Sequence, residues 1–200
     1  MDPLDPHDEE GSTTVFRDVI FLALAGFIAI VLMLLPHLNP PTKAEQDITT
    51  PGNVVIEAVW SPDIDADVDL WVEAPGDRPV GYSNKGGDVF NLLRDDLGYY
   101  RDATHMNYEV SYSRGLPAGE YTVNLHLYKA GRHVLPVGVR VVVSIKVDAS
   151  APASRVLSKT FELRSVGQEI TCFRFKLDDE GKFVPSSVHD VSRQLRSARS

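Results

Sequence analysis

Residues 61–77 read SPDIDADVDLWVEAPGD, and their period is two. Asp63, Asp65, Asp67 and Asp69 alternate with Ile64, Ala66, Val68 and Leu70, the pattern of an extended strand with one polar and one apolar face. The Pro75-Gly76 pair then ends it with a turn. The same period recurs along most of the chain, over 54–60, 68–73, 80–84, 107–112, 120–128, 137–147, 155–163 and 168–177. Turn signals such as NKGGD, LPAGE, KAGRH, DASAPAS and DDEGK separate these runs, and no helical pattern lies between them. The reading is a mainly β domain over 53–178, an antiparallel β-sandwich of about eight strands. Beyond it, Val188, Val191 and Leu195 fall at helical spacing beside Arg193, Arg196 and Arg199, so 179–200 is expected as a tail or short surface helix.

In an extended chain the four carboxylates of the ladder project from one face, neighbours roughly 6–7 Å apart. Like charges stacked in this way repel unless water or a cation relieves them. Hard oxygen ligands in that number suit Ca²⁺, and Asp63, Asp65, Asp67 and Asp69 are candidate ligands. An EF-hand is excluded, because counting from Asp63 puts Val68 where the loop needs Gly and Ala74 where it needs a bidentate Glu. Further candidates lie downstream: Asn84, Asp88, Asp95, Asp96 and Asp102, of which Asn84, Asp95 and Asp96 complete the expected set. The competing reading is a sandwich whose edges are acidic simply to prevent edge-to-edge association.

The totals exclude several classes. A net charge of −8 over 200 residues argues against a nucleic-acid partner. Cys172 is the single cysteine, which rules out an intrachain disulfide and a CxxC metal site. No Gly-x-Ser-x-Gly elbow, HExxH or phosphate loop is present, so no enzymatic activity is expected. His105, His126 and His133 lack a nucleophile or a metal-spaced partner, and His126 is expected on a strand face. Trp60, Trp71 and the tyrosines are expected to pack the core, with a sugar-binding platform as the alternative.

The N-terminal region differs in kind. Residues 13–41 read TTVFRDVIFLALAGFIAIVLMLLPHLNPP, and 19–35 hold no charged or strongly polar side chain. A helix over 16–36 would be about 30 Å long, enough to cross a hydrocarbon core. A cleaved signal peptide would want a basic start and a small-x-small cleavage site. Here residues 1–15 carry Asp2, Asp5, Asp8, Glu9 and Glu10 without a Lys or Arg, so an uncleaved anchor preceded by a disordered acidic tail is expected. Arg17 and Lys43 flank the span evenly, and charge bias alone gives no orientation. Residues 37–52, with Pro40, Pro41 and Pro51, read as a semi-extended linker.

Asp18 interrupts this apolar helix at its start. It is either a flanking charge tolerated near a helix N-terminus or a carboxylate that faces a protein partner. Its own face favours the second reading, since Ala25, Gly26 and Ala29 follow at seven, eight and eleven residues. Small residues so spaced let helices approach closely in a membrane. Ile20, Phe27, Ile28, Val31 and Leu34 lie on the other faces, suited to lipid.

Phe16, Asp18 and Val19 within VFRDVIFLALAGFIAIVLMLL resemble the N-terminal helix of the ExbD/TolR family, and more distantly MotB. Arg17 departs from the pattern of that helix. The resemblance implies that Asp18 carries protons. It implies a homodimer of such helices inside a pentamer of polytopic ExbB/TolQ/MotA-type subunits. It also implies an N-terminus in the cytoplasm, a span in the bacterial inner membrane and a C-terminal domain in the periplasm.

A second resemblance covers roughly 54–130, carried by Trp60, Asp67, Asp69, Leu70, Val72, Pro75, Gly76, Tyr82, Asn84, Gly86, Gly87, Gly119 and Tyr121. These residues are similar to the pattern of the YfaP-like bacterial domain of unknown function, which implies an extracytoplasmic β-sandwich and no particular reaction. Where that pattern has Gly-Pro-Glu this chain reads HMNYEV. The function expected from both resemblances is a subunit of a proton-driven motor whose sandwich engages the envelope. The alternative is a membrane-tethered periplasmic module that binds calcium or a carbohydrate without ion transport.

Overall fold

A computed structural model describes residues 7–38, 52–98, 106–131, 134–148 and 151–196. The chain divides into two units, Met1–Ile48 and Thr49–Ser200.

The first unit contains the helix α1, His7–Leu38. Within it Thr14–Leu34, 21 residues of mean hydropathy 2.4, is long and apolar enough to cross a membrane. The expected span 16–36 falls inside α1, but the helix starts earlier, so residues 7–15 of the expected disordered tail are helical. Two effects account for this. A helix once nucleated propagates cheaply, and Asp8, Glu9 and Glu10 fall near its start, where the macrodipole favours anions. Residues 1–6 and the expected linker from 39 to 51 lie outside the described residues.

The second unit is built from strands β1 (Val54–Trp60), β2 (Ala66–Glu73), β3 (Phe90–Arg94), β4 (Tyr108–Ser113), β5 (Gly119–Ala130), β6 (Val137–Ile145), β7 (Ser154–Leu163), β8 (Glu169–Leu177) and β9 (Phe183–His189). They form two antiparallel sheets, ordered β3-β4-β1-β6-β7 and β2-β5-β8-β9, which is the β-sandwich read from the alternation. The core lies between them. Val54, Ile56 and Ala58 on β1 and Val139, Val141 and Val143 on β6 face Val68, Leu70 and Val72 on β2 and Val123, Leu125 and Leu127 on β5, all fully buried. Each such Val, Ile or Leu side chain contributes about 1.5–3 kcal/mol of burial, which is why period two decides this fold.

Tyr121 fastens the crossover from β4 to β5. Its ring stacks on Phe175 with centroids 5.2 Å apart, and its hydroxyl donates to the Pro117 carbonyl at 2.8 Å. A tyrosine bonded back to the chain just upstream is a recurring corner device of β-sandwiches. Cys172 sits at an irregularity of the β5–β8 register and is buried, and that burial pushes its thiol well up.

Three expectations need correcting. Residues 80–84 are not a strand but a tight turn, with isolated bridges Val72–Val80 and Gly81–Asn84. Gly81 is required there, because a Cβ would run into the Trp71 indole. Second, β3 was not expected: its Leu92 and Leu93 are adjacent apolar residues, one buried and one exposed, so no alternation marks it.

Third, 179–200 is neither tail nor helix through 196. β8 turns at Asp178–Lys182 into β9, with Asp178 Oδ1 accepting the Glu180 and Lys182 N–H groups. Residues 190–196 then run as a strap over the outer face of the β2-β5-β8 sheet. Asn124 Nδ2 donates to the Arg193 carbonyl at 2.6 Å, and the Leu195 N–H donates to Glu169 Oε1 at 2.8 Å. The Arg193 guanidinium pairs with Glu73 at 2.7 Å, and Leu195 is fully covered. Pairing of β9 with β8 and the strap's bonds to Asn124, Thr171 and Glu169 hold these residues extended, and the apparent helical spacing was coincidental.

Candidate functional sites: an acidic cleft and a carboxylate on an apolar helix

Asp67 and Asp69 lie on β2, alternating with the core residues Val68 and Leu70, so their carboxylates point away from the core. β2 is an edge strand, and its free side is met by Glu109 from β4 in the opposite sheet. Glu109 pairs in register with Ala58 and therefore faces inward, fully buried. Its Oε2 accepts the Leu70 N–H at 2.6 Å and its Oε1 accepts the Asp96 N–H at 3.2 Å. The segment after β3 brings Asp95 to the same place. Asp69, Asp95 and Glu109 each present an oxygen within 4.8 Å of the other two. Asp67, Asp69 and Asp95 line a cleft of about 180 Å³ together with Tyr82, Leu97 and Tyr128.

The electrostatics are those of crowded, dehydrated acids. Burial, then the neighbouring Asp69, Asp95 and Asp96, raise Asp67 to about 7. Burial also raises Asp69, although its hydrogen bond with His126 opposes the shift, Nδ1 lying 2.6 Å from Oδ2. Glu109 is raised well above the usual carboxylate range by burial, against the pull of the Leu70 N–H, with Asp69 and Asp95 adding to the rise. Lys85 pairs with Asp95 at 2.8 Å from a largely exposed position.

The other expected ligands lie outside this group. Asp63 is exposed in the turn that precedes β2, and Asp65 also comes before the strand, its carbonyl accepting the Gly131 N–H at 2.7 Å. The ladder is therefore broken: only its last two rungs are on a strand. Asn84 serves the 79–84 turn, donating to the Pro79 carbonyl at 2.7 Å. Asp96 is buried but structural, its oxygens accepting from the Gly98 and Tyr108 N–H groups and the Arg94 guanidinium. Asp88 is an exposed loop residue, while Asp102, His105 and His133 lie outside the described residues. Glu109 was missed by sequence reading, and so was its consequence. An acid in NYEVSY is naturally assigned to the solvent face, whereas in β4 it is Glu109, Ser111 and Ser113 that face inward, opposite Ala58, Ile56 and the β3 residues Leu92 and Phe90.

In α1, Asp18, Ala25 and Ala29 share one stripe at about 100° per residue, with Gly26 beside it. All four are exposed, and a Cβ on Gly26 would meet no atom within 4 Å.

No family model, curated protein or solved structure matches the chain.

Proposed function

We propose that the chain is a single-pass inner-membrane subunit of a proton-driven assembly, with its N-terminus in the cytoplasm and the sandwich in the periplasm. One observation carries this reading: Asp18 stands inside a 21-residue apolar helical segment, on the same stripe as Ala25 and Ala29. An anchor alone needs no carboxylate, and Asp is too short to snorkel to the interface. The resemblance of Phe16, Asp18 and Val19 to the ExbD/TolR/MotB helix supports the same role. In this reading Asp18 takes a proton from one side, moves neutralised against a polytopic ExbB/TolQ/MotA-like subunit, and releases the proton to the other side. The small-residue stripe is the packing face, for a second copy or for the channel subunit. The sandwich is the working end at the envelope.

The test is proton flux in vesicles holding this chain with its polytopic partner. Asp18→Asn should abolish flux while the hetero-oligomer still forms, and Asp18→Glu should retain part of it. Unchanged flux in Asp18→Asn would sink the proposal.

A second reading is a membrane-tethered periplasmic binding module, for calcium or a carbohydrate, without ion transport. The acidic cleft at β2 favours it, and it expects Asp18→Asn to be silent.

A further inference from the structure

The cleft at the free edge of β2 carries an inference independent of Asp18; it deepens the binding-module reading and is compatible with the motor. Asp69, Asp95 and Glu109 come from three separate elements, yet their oxygens gather within 4.8 Å of one another. Oxygen ligands about 2.4 Å from a common Ca²⁺ lie no more than about 4.8 Å apart, a limit that these three meet. A second observation points the same way. Asp67 lines the same cleft, is only 6% exposed, and its Oδ1 is buried without a hydrogen-bond partner. Asp95 Oδ1 is likewise buried and unpartnered. Orphaned carboxylate oxygens in a desolvated cleft are costly, and a cation satisfies them together.

The surroundings are built to hold ligands still. The Leu70 and Asp96 N–H groups fix the two oxygens of Glu109, and His126 fixes Asp69 from behind, as outer partners orient metal ligands. Arg94, the nearest guanidinium in sequence, is turned to Asp96 and to the Met106 and Tyr108 carbonyls. We propose that Asp69, Asp95 and Glu109, with Asp67 on the cleft wall, bind one divalent cation of the calcium class. The donor set is all carboxylate, irregular and drawn from both sheets, which suits Ca²⁺ better than the compact octahedron of Mg²⁺ or the nitrogen and sulfur ligands of Zn²⁺. Such an ion would clamp the β2 edge to β4.

The experiment uses the full-length chain in detergent, stripped with a chelator and titrated with CaCl₂ at constant pH and ionic strength. Thermal unfolding is followed, together with Tb³⁺ emission sensitised by the Trp71–Tyr82–Tyr128 group beside the cleft. The expected result is a higher Tm at millimolar Ca²⁺, Tb³⁺ emission displaced by Ca²⁺, and weaker competition by Mg²⁺. Asp95→Asn, at a partly exposed loop position whose protein partner is the Lys85 ammonium, should weaken binding at least about tenfold. Glu109→Gln should do the same if it folds, and Asp63→Asn should bind as the wild type does. No Tm change and no displaceable emission would overturn the proposal. So would binding that survives Asp95→Asn, which would assign it to surface carboxylates. None of these readouts involves proton flux, so failure here leaves the Asp18 proposal standing.

Discussion

His126 Nδ1 lies 2.6 Å from Asp69 Oδ2 across the β2–β5 pair, and both side chains are almost fully buried. Neither has water to fall back on, so removing one leaves the other unpaired in a low-dielectric site. In cation-free buffer His126→Leu should lower stability by about 3 kcal/mol, read by urea unfolding. The double variant with Asp69→Leu should recover part of that loss. Additive losses in the double-mutant cycle would show that the two groups are not coupled.

Asp77 clamps the turn-rich segment between β2 and β3. Its carboxylate accepts the N–H groups of Arg78 at 2.8 Å, Asp88 at 3.1 Å and Val89 at 2.8 Å. Partial burial opposes its ionisation, but these donors outweigh burial and hold the group below the usual carboxylate range. A depressed native pKa contributes stability above the unfolded value of 3.8, and that stability is lost as pH falls through the native one. Asp77→Asn should therefore cost about 1–2 kcal/mol near neutral pH, with the gap closing in acid. Equal gaps in urea unfolding at neutral and acid pH would contradict the clamp. A side chain at Gly87 would collide with the same carboxylate, so Gly87→Ala should also loosen the segment.

The strap over the outer sheet face is anchored by Leu195 and by backbone bonds of Arg193 to Asn124 and Thr171. Leu195→Ala should cost about 2–4 kcal/mol, a core-like penalty at a position near the end of the chain. Truncation after His189 should also uncover Asn124, seen as lost hydrogen-exchange protection on β5. Unaltered protection would mean the strap is dispensable.

If the α1 stripe packs against a partner, bulk there should act differently from bulk elsewhere on the helix. Ala25→Leu and Ala29→Leu should each reduce co-purification of the hetero-oligomer several-fold, while Leu24→Ala, on another face, should change it little. The measurement is partner recovery per copy of this chain from solubilised membranes. Equal recovery in all three would remove the stripe from the interface.

How far the sequence revealed these features follows from periodicity. Strands with one strictly apolar face, such as β1 and β6, were legible because Val, Ile, Ala and Trp alternate with outward residues. β3 was not, having Leu on both faces, and β9 was hidden by Pro185, which an edge strand tolerates. Asp67, Asp69 and Asp95 were legible as acids in a polar pattern. Their third-element partner Glu109 was not, because inward orientation in β4 depends on pairing with β1, a long-range fact absent from local pattern. The same limit explains the strap: Leu195 finds its socket only once β2, β5 and β8 are assembled.

Cys172 gives the molecule a built-in reporter. It is the only thiol in the sequence, and it sits 1% exposed against the core with its ionisation suppressed. A thiol reagent can therefore reach it only when the sandwich opens, so labelling kinetics would time that opening directly. Any cysteine introduced on the surface would label alone in the native state, leaving the natural one silent until the fold gives way.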